Sequence, residues 1–311
     1  MDRFEAQGRV WQEPVENRTV AYAIWCDFWQ LTKARLSVSV VFSAVAGYLL
    51  AVDSVEVENL LVLISGGYLM VGASNVFNQI IERDKDKLMH RTRNRPLPTG
   101  RVSVTAAFYL GLSLAIGGLT LLCYLSFQAA VWAFVSIILY VFAYTPLKAV
   151  TPWSVFVGAF PGAIPYMLGW VAASNSFNIE PGTLFLIQFL WQFPHFWAIG
   201  WLAFADYERA GYNLLPSGGR DRSTAMQIAI YSFSLIPISI WPAFGLTGRL
   251  HLSVQAAVWV IICGAIFFGF SLRLRRRMDS KSARDLLLAS VVYLPVVQII
   301  YVVDKFVRCA T

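Results

Sequence analysis

The sequence predicts an all-α, polytopic membrane protein of nine transmembrane helices. Three observations carry this prediction. Of 311 residues, 57% are hydrophobic and 14% are charged, against roughly 25% charged in an ordinary soluble domain. Nine apolar runs approach or exceed the length of about 20 residues that spans a bilayer core. The third is that 22 of the 25 Lys and Arg residues fall on one side of such a nine-helix topology. So much apolar surface suits a chain whose solvent is lipid.

The predicted spans are 36–52, 59–82, 104–123, 127–145, 153–173, 183–204, 223–245, 253–272 and 286–304. The first is short, and Lys33 and Arg35 are placed to snorkel at its end. Residues 1–30 carry Asp2, Glu5, Glu13 and Glu16 and have no apolar core, so they read as a cytoplasmic tail. They do not read as a signal or transit peptide. Residues 31–311 read as a single transmembrane domain. On the sparse side of the topology lie only Arg249, Lys305 and Arg308. The positive-inside rule therefore places the N-terminus and the long loops in the cytoplasm. The net charge of +7 is thus a signal of orientation, not of nucleic-acid binding. Cys26, Cys123, Cys263 and Cys309 form no CxxC or CxxCH pattern, which excludes a sequence-readable zinc site, c-type haem or disulfide framework.

Three polar constellations lie at the cytoplasmic ends of these spans. Asn78, Glu82 and Asp86 are spaced i, i+4, i+8 and share one helix face, each about 6 Å above the last. Stacked amide and carboxylate oxygens suit Mg²⁺, a hard cation often shared with substrate phosphates; Mn²⁺ would serve in its place. Asp84 lies about 200° around from Glu82. Either the helix unwinds there or Asp84 pairs with a loop cation such as Arg91. The second constellation runs from Arg91 through Arg95 to Pro96, Leu97 and Pro98. Its prolines make a stiff loop, and its guanidinium groups match phosphate oxygens bidentately. The third, Asp206-Tyr-Glu-Arg209, offers a further carboxylate and cation beyond the sixth span.

Within that span, Pro194 should kink the helix and free a carbonyl. Gln192 and His195 either satisfy that local defect or contact a ligand. On a continuous helix His195 shares a face with Asp206, 11 residues on, at a depth difference of about 16 Å.

Taken together, Asn78-x3-Glu82-x3-Asp86, Arg91-Thr-x-x-Arg95-Pro-Leu-Pro and the second Asp-bearing loop resemble the UbiA superfamily of intramembrane prenyltransferases. Four stretches resemble the branch that farnesylates haem. These are Tyr144-Thr-Pro-Leu-Lys148, Val157-Gly-Ala-Phe-Pro-Gly-Ala-Ile-Pro165, Trp191-Gln-Phe-Pro-His195-Phe-Trp and Asp206-Tyr-x-Arg-Ala-Gly. The resemblance implies a helical bundle around a central cavity, Mg²⁺, farnesyl diphosphate as donor and haem B as acceptor. It implies metal binding by Asn78, Glu82, Asp86 and Asp206, and diphosphate binding by Arg91, Arg95, Lys148 and Arg209. It implies haem contact by His195 and Gln192, and a downstream haem A synthase or terminal-oxidase assembly as partner. Glu82 stands where the family usually has Asp, and Lys33-Ala34-Arg35 where it has Lys-Pro-Arg. Pro165-Tyr166 replaces a common proline pair. None of these departures removes a charged group. Ala210 stands four residues after Asp206, where quinone-type relatives more often carry a second Asp.

Overall fold

The computed structural model describes residues 20–310, so most of the predicted tail lies outside the described residues. Among these residues all regular structure is helical. A first helix, α1 (Val20–Leu31), precedes α2 (Ala34–Ala51), α3 (Val57–Ile81) and α4 (Val104–Leu125). Then come α5 (Phe127–Ile138), α6 (Ser154–Ser174) and α7 (Ile179–Leu202). The last three are α8 (Arg222–Ile240), α9 (Val254–Arg277) and α10 (Ser280–Ala310).

Eight helices among the described residues are long and apolar enough to cross a membrane, which makes the chain a multi-pass membrane protein. They correspond to eight of the nine predicted spans. The other span is α7, whose 24 residues rise about 36 Å. It falls short in apolarity, because it carries Gln188, Gln192 and His195.

Consecutive helices from α2 to α10 are neighbours all the way round, and α10 returns to α2. The two broadest contacts across this ring are α2 against α6 and α7 against α10. These two chords divide the interior into two apolar cores that meet at α6, one built mainly on α2–α6 and the other on α6–α10. Small residues allow the first chord: a Cβ at Gly47 would collide with the Tyr166 carbonyl, and one at Gly169 with the Ala44 carbonyl. The outward faces carry exposed Phe142, Val254 and Trp259, which lipid covers. Helix starts follow local chemistry. Ser103, Ser126 and Ser253 each accept a hydrogen bond from the backbone N–H three residues on.

Helix α1 was not foreseen as regular structure. Ile24, Trp25 and Trp29 are exposed along it, while Asp27 pairs with Arg101 at 3.1 Å. Its end is fastened by Gln79, whose Nε2 donates to the Leu31 carbonyl at 2.7 Å. One apolar, aromatic flank beside charged partners is the pattern of a membrane-interface helix.

The two ends of the bundle carry the loops that the charge count assigned to opposite sides. Lys33, the 82–101 loop, Lys148 and the 203–213 loop meet at one end. At the other, Arg249 lies 3.6 Å from Asp53, Arg308 donates to the His251 carbonyl at 2.8 Å, and Lys305 caps the carbonyls of Leu49 and Val52.

Candidate active site

The predicted ladder exists and is buried. The helical hydrogen bonds continue from Asn78 O to Glu82 N (2.9 Å) and from Glu82 O to Asp86 N (2.7 Å). The backbone turns at Glu82 (φ −88°, ψ 2°) into the single turn Arg83–Asp86. Asn78, Glu82 and Asp86 are 1%, 6% and 0% exposed. Charged groups so buried need partners, and each rung has one. Lys33 Nζ donates to Asn78 Oδ1 at 3.3 Å, Lys148 Nζ to Glu82 Oε1 at 2.9 Å, and Arg95 Nη1 to Asp86 Oδ2 at 2.8 Å. Three cations thus face two carboxylates and an amide. Asp86 Oδ1 is buried and has no hydrogen-bond partner.

Each partner is positioned by a local feature. Lys33 sits between α1 and α2 in a left-handed conformation (φ 47°, ψ 53°). That conformation is costly for a residue with a Cβ and is found where function or packing over-determines the backbone. Instead of snorkelling outward, Lys33 turns in to Asn78. Burial first, and then the charges of Arg95 and Lys148, pull its pKa down to about 7, although Glu82 and Asp86 oppose the fall. The sequence reading treated Lys33 only as an anchor. The signal available was a lone basic Lys-x-Arg pair at the mouth of the first span.

Lys148 follows a π-helical segment, Leu139–Tyr144, and the short turn Thr145–Leu147. Pro146 cannot donate to the carbonyl one turn back, and the wider turn accommodates it. Thr145 Oγ1 donates to the Tyr140 carbonyl at 2.8 Å and accepts from Asn78 Nδ2 at 3.0 Å. The Tyr144 ring lies 4.4 Å from Lys148 Nζ. Burial alone would raise the Glu82 pKa. The charge and hydrogen bond of Lys148, with Lys33 behind them, override it and hold the group below the usual carboxylate range. Lys148 shows the converse: burial opposes its charge, yet Tyr144 and Glu82 hold its pKa well above normal.

Asp84 settles on the first of its two alternatives in part: the helix does break at Glu82. Its carboxylate is 70% exposed and pairs with Arg83 at 3.1 Å and Lys87 at 3.0 Å, not with Arg91. These two neighbours hold its pKa at about 2.

Asp206 and Arg209 do not join the ladder directly. They bond each other, and Asp206 also accepts the backbone N–H groups of His90 and Arg91, both at 3.4 Å. Arg91 Nη2 reaches the Tyr207 hydroxyl at 3.4 Å. The two loops are further joined by Lys85, whose Nζ donates to the Ala210 carbonyl at 2.7 Å and lies 5.1 Å from the Tyr212 ring. Tyr212 stands beside Glu82; burial and that carboxylate push its pKa up. A cleft of about 240 Å³ lined by Gly200, Phe204, Tyr207, Tyr212 and Leu215 opens beside this turn.

Among the described residues no three His, Cys, Asp or Glu side chains converge into a ready-made metal cage. The donor set nevertheless fits Mg²⁺. That ion keeps several waters and takes one or two carboxylates together with substrate phosphate oxygens. Asp86 Oδ1 is a spare, buried, anionic oxygen of that kind.

Deeper in α7, neither Gln192 nor His195 patches the carbonyl freed by Pro194. Gln192 Nε2 donates to the Gly162 carbonyl at 3.0 Å, beside Gln188 at 2.9 Å. His195 Nδ1 lies 2.8 Å from Ser290 Oγ on α10. The ruler from His195 to Asp206 also fails at Ala203 (φ −93°, ψ 16°), where α7 ends and the separate turn Phe204–Arg209 begins.

The sequence profile of the UbiA prenyltransferase family matches residues 40–292. A Flavobacterium psychrophilum protein named protoheme IX farnesyltransferase is 53% identical over 289 residues, covering 92% of this chain and 96% of its own. One of the same name from Christiangramia forsetii is 53% identical over 286 residues, covering 92% and 95%. Among solved structures, one of a digeranylgeranylglyceryl phosphate synthase superposes with a TM-score of 0.74 at 16% identity, covering 90% of this chain and 98% of that one. A UbiA homolog from Archaeoglobus fulgidus bound to DMAPP and Mg²⁺ gives 0.64 at 12% identity, covering 89% and 99%. At such identities the structures speak for the fold alone.

Proposed function

The chain belongs to the UbiA prenyltransferase family, and from that premise we propose that it is an intramembrane enzyme that farnesylates haem B. Farnesyl diphosphate, haem B and water give haem O and diphosphate. The relatives at 53% identity over 92% of the chain support the acceptor and donor. The observation that carries the chemistry is the buried ladder with its three cations.

Asn78, Glu82 and Asp86 would hold Mg²⁺ (or Mn²⁺) beside the diphosphate, and Asp206 would add the carboxylate of the second loop. The metal, when bound, draws negative charge onto the diphosphate leaving group. Arg95 and Lys148 balance Glu82 and Asp86, and Lys33, with its pKa of about 7, adds positive charge when it is protonated, which a bound anion would favour. Arg91 and Arg209 stand at the mouth, on the loop pair joined through Asp206. As the allylic C–O bond breaks, the farnesyl carbon becomes electron-poor, the haem vinyl group attacks it, and water adds to the resulting cation.

Between α6 and α7, Phe156, Phe160, Phe185, Phe189 and Phe193 form a row with centroids 5.0–6.1 Å apart. A farnesyl chain laid along these rings would be shielded from water and would meet their faces. His195 and Gln192 are assigned to the haem side. The absence of a second Asp at Ala210 favours haem over a quinone-type aromatic acceptor.

The bundle of 31–311 acts as one domain in the bacterial cytoplasmic membrane, with the ladder end in the cytoplasm, as the distribution of Lys and Arg supports. Its haem O would pass to a haem A synthase or a terminal-oxidase assembly. Purified protein given haem B, farnesyl diphosphate and Mg²⁺ should yield haem O by mass spectrometry, and excess chelator should abolish it. Transfer to a hydroxylated aromatic acceptor with none to haem, or full turnover in chelator, would overturn the reading.

A further inference from the structure

Ser290 carries a single hydroxyl proton, and a carbonyl within reach, which can only accept, claims it. Its Oγ donates to the Leu287 carbonyl at 2.6 Å. The same oxygen lies 2.8 Å from His195 Nδ1, and with its proton already committed it must accept there. Nδ1 therefore carries the hydrogen. In the neutral ring, Nε2 then holds the free lone pair. Among the described residues Nε2 has no hydrogen-bond partner and no acidic side chain pairs with the ring. The residue is half-buried, seven residues and about 10 Å from the end of α7.

The ring is also held in place. Trp191, one turn earlier, stacks on it with centroids 4.5 Å apart and planes 20° apart. The Trp191 Nε1–H donates to the Ser290 carbonyl at 2.9 Å. Phe196 meets it edge-on, with centroids 5.5 Å and planes 76° apart. Ser290 thus fixes two side chains of α7 at once, one through its hydroxyl and one through its backbone. A latch between helices would need only these bonds. It would not need an imidazole whose tautomer is set and whose outer nitrogen is left open. A histidine oriented through its inner N–H, with the outer nitrogen presented, is the usual arrangement of a metal ligand.

We propose that His195 Nε2 coordinates the iron of the porphyrin acceptor and that Ser290 is the positioning residue that sets the tautomer and ring orientation. This rests on the reading of haem B as acceptor. Iron coordination would fix the porphyrin plane, and hence the depth at which its vinyl group meets the farnesyl chain.

The full chain, purified in detergent, is titrated with haem B and followed by Soret absorption and electron paramagnetic resonance. The wild type should show a histidine-ligated spectrum. His195→Gly should lose it and recover it on addition of imidazole. Ser290→Ala should weaken haem binding by about 10- to 100-fold, the usual effect of removing a partner that orients a ligand. Ser290→Thr, which keeps the hydroxyl, should restore it. Binding of a non-hydrolysable farnesyl diphosphate analogue with Mg²⁺ should be unchanged in every variant, which also reports that each is folded. A wild-type spectrum in His195→Gly, or wild-type haem affinity in Ser290→Ala, overturns the proposal. If the wild type makes haem O, such a result removes the iron ligand alone. If the wild type makes none, the acceptor itself is wrong and the proposal falls with it.

Discussion

Replacing Lys148 with Met tests whether the ladder is held by buried charge pairing. The methionine keeps much of the stem volume and removes the ammonium 2.9 Å from Glu82 Oε1. Both side chains are largely buried, at 12% and 7% exposure. At that distance and an effective dielectric of about 20 the attraction is about 6 kcal/mol before desolvation is counted. Removing one partner of a buried pair costs roughly 3–5 kcal/mol, because the other charge is left unpaired. Lys33 softens this loss. Its pKa of about 7 is depressed partly by Lys148 itself, so the variant lets Lys33 hold its proton to higher pH and answer Glu82 in part.

The sign of the pH dependence follows. In the wild type the Glu82 pKa lies below its unfolded value. Its stabilising contribution is therefore present above that unfolded value and is lost only as pH falls through the folded pKa. In Lys148→Met, burial acts unopposed by the ammonium and raises the Glu82 pKa. Protonation of Glu82, and of Lys33, then relieves the defect as pH falls. The stability deficit should be about 3 kcal/mol near pH 9 and shrink toward pH 5. Chemical unfolding in detergent across that range measures it. Glu82→Gln and the double variant complete the cycle, which should show a coupling of about 2 kcal/mol or more. A coupling below about 0.5 kcal/mol, the level of an exposed pair, would refute the reasoning. So would a deficit that grows as pH falls.

The other predictions follow from the same geometry. Glu82→Asp keeps charge and ligand type, so haem O synthesis should stay within about tenfold of wild type while Glu82→Gln loses about 10²–10³-fold in kcat; equal losses would show that reach governs this position. Asp84→Asn removes a 70% exposed carboxylate bonded only to its neighbours, so activity and the unfolding midpoint should both be unchanged. Gly169→Leu should abolish the yield of folded protein, because its side chain would enter the Ala44 backbone, whereas Gly182→Ala, which meets nothing within 4 Å, should not. In a cysteine-free background, an impermeant thiol reagent applied to whole cells should label a cysteine at exposed Ser54 and not one at exposed Ser217; the reverse pattern would invert the orientation.

Span length and ladder register are local properties, and the sequence by itself determined both. In lipid each helix must satisfy its own backbone, so about 20 apolar residues in a row suffice to place a span. Most observed helices accordingly begin and end within about five residues of the predicted ones, whereas α10 (Ser280–Ala310) overruns 286–304 at both ends and the fourth span completes its length as the π-helical turn Leu139–Tyr144. The i, i+4, i+8 spacing of Asn78, Glu82 and Asp86 is equally local, since 3.6 residues per turn puts them on one face whatever surrounds them. What each rung touches was not local. Lys33 reaches Asn78 across 45 residues, Lys148 reaches Glu82 across 66, and Ser290 reaches His195 across 95. No periodicity encodes those distances; only the closure of the helical ring brings the groups together. The same holds for the break at Ala203, where the loop pair around Asp206 leaves the axis of α7 and ends any ruler drawn along it. Tertiary structure alone decided which nitrogen of His195 is held and which is free, because that turns on a hydroxyl proton of another helix already spent on Leu287.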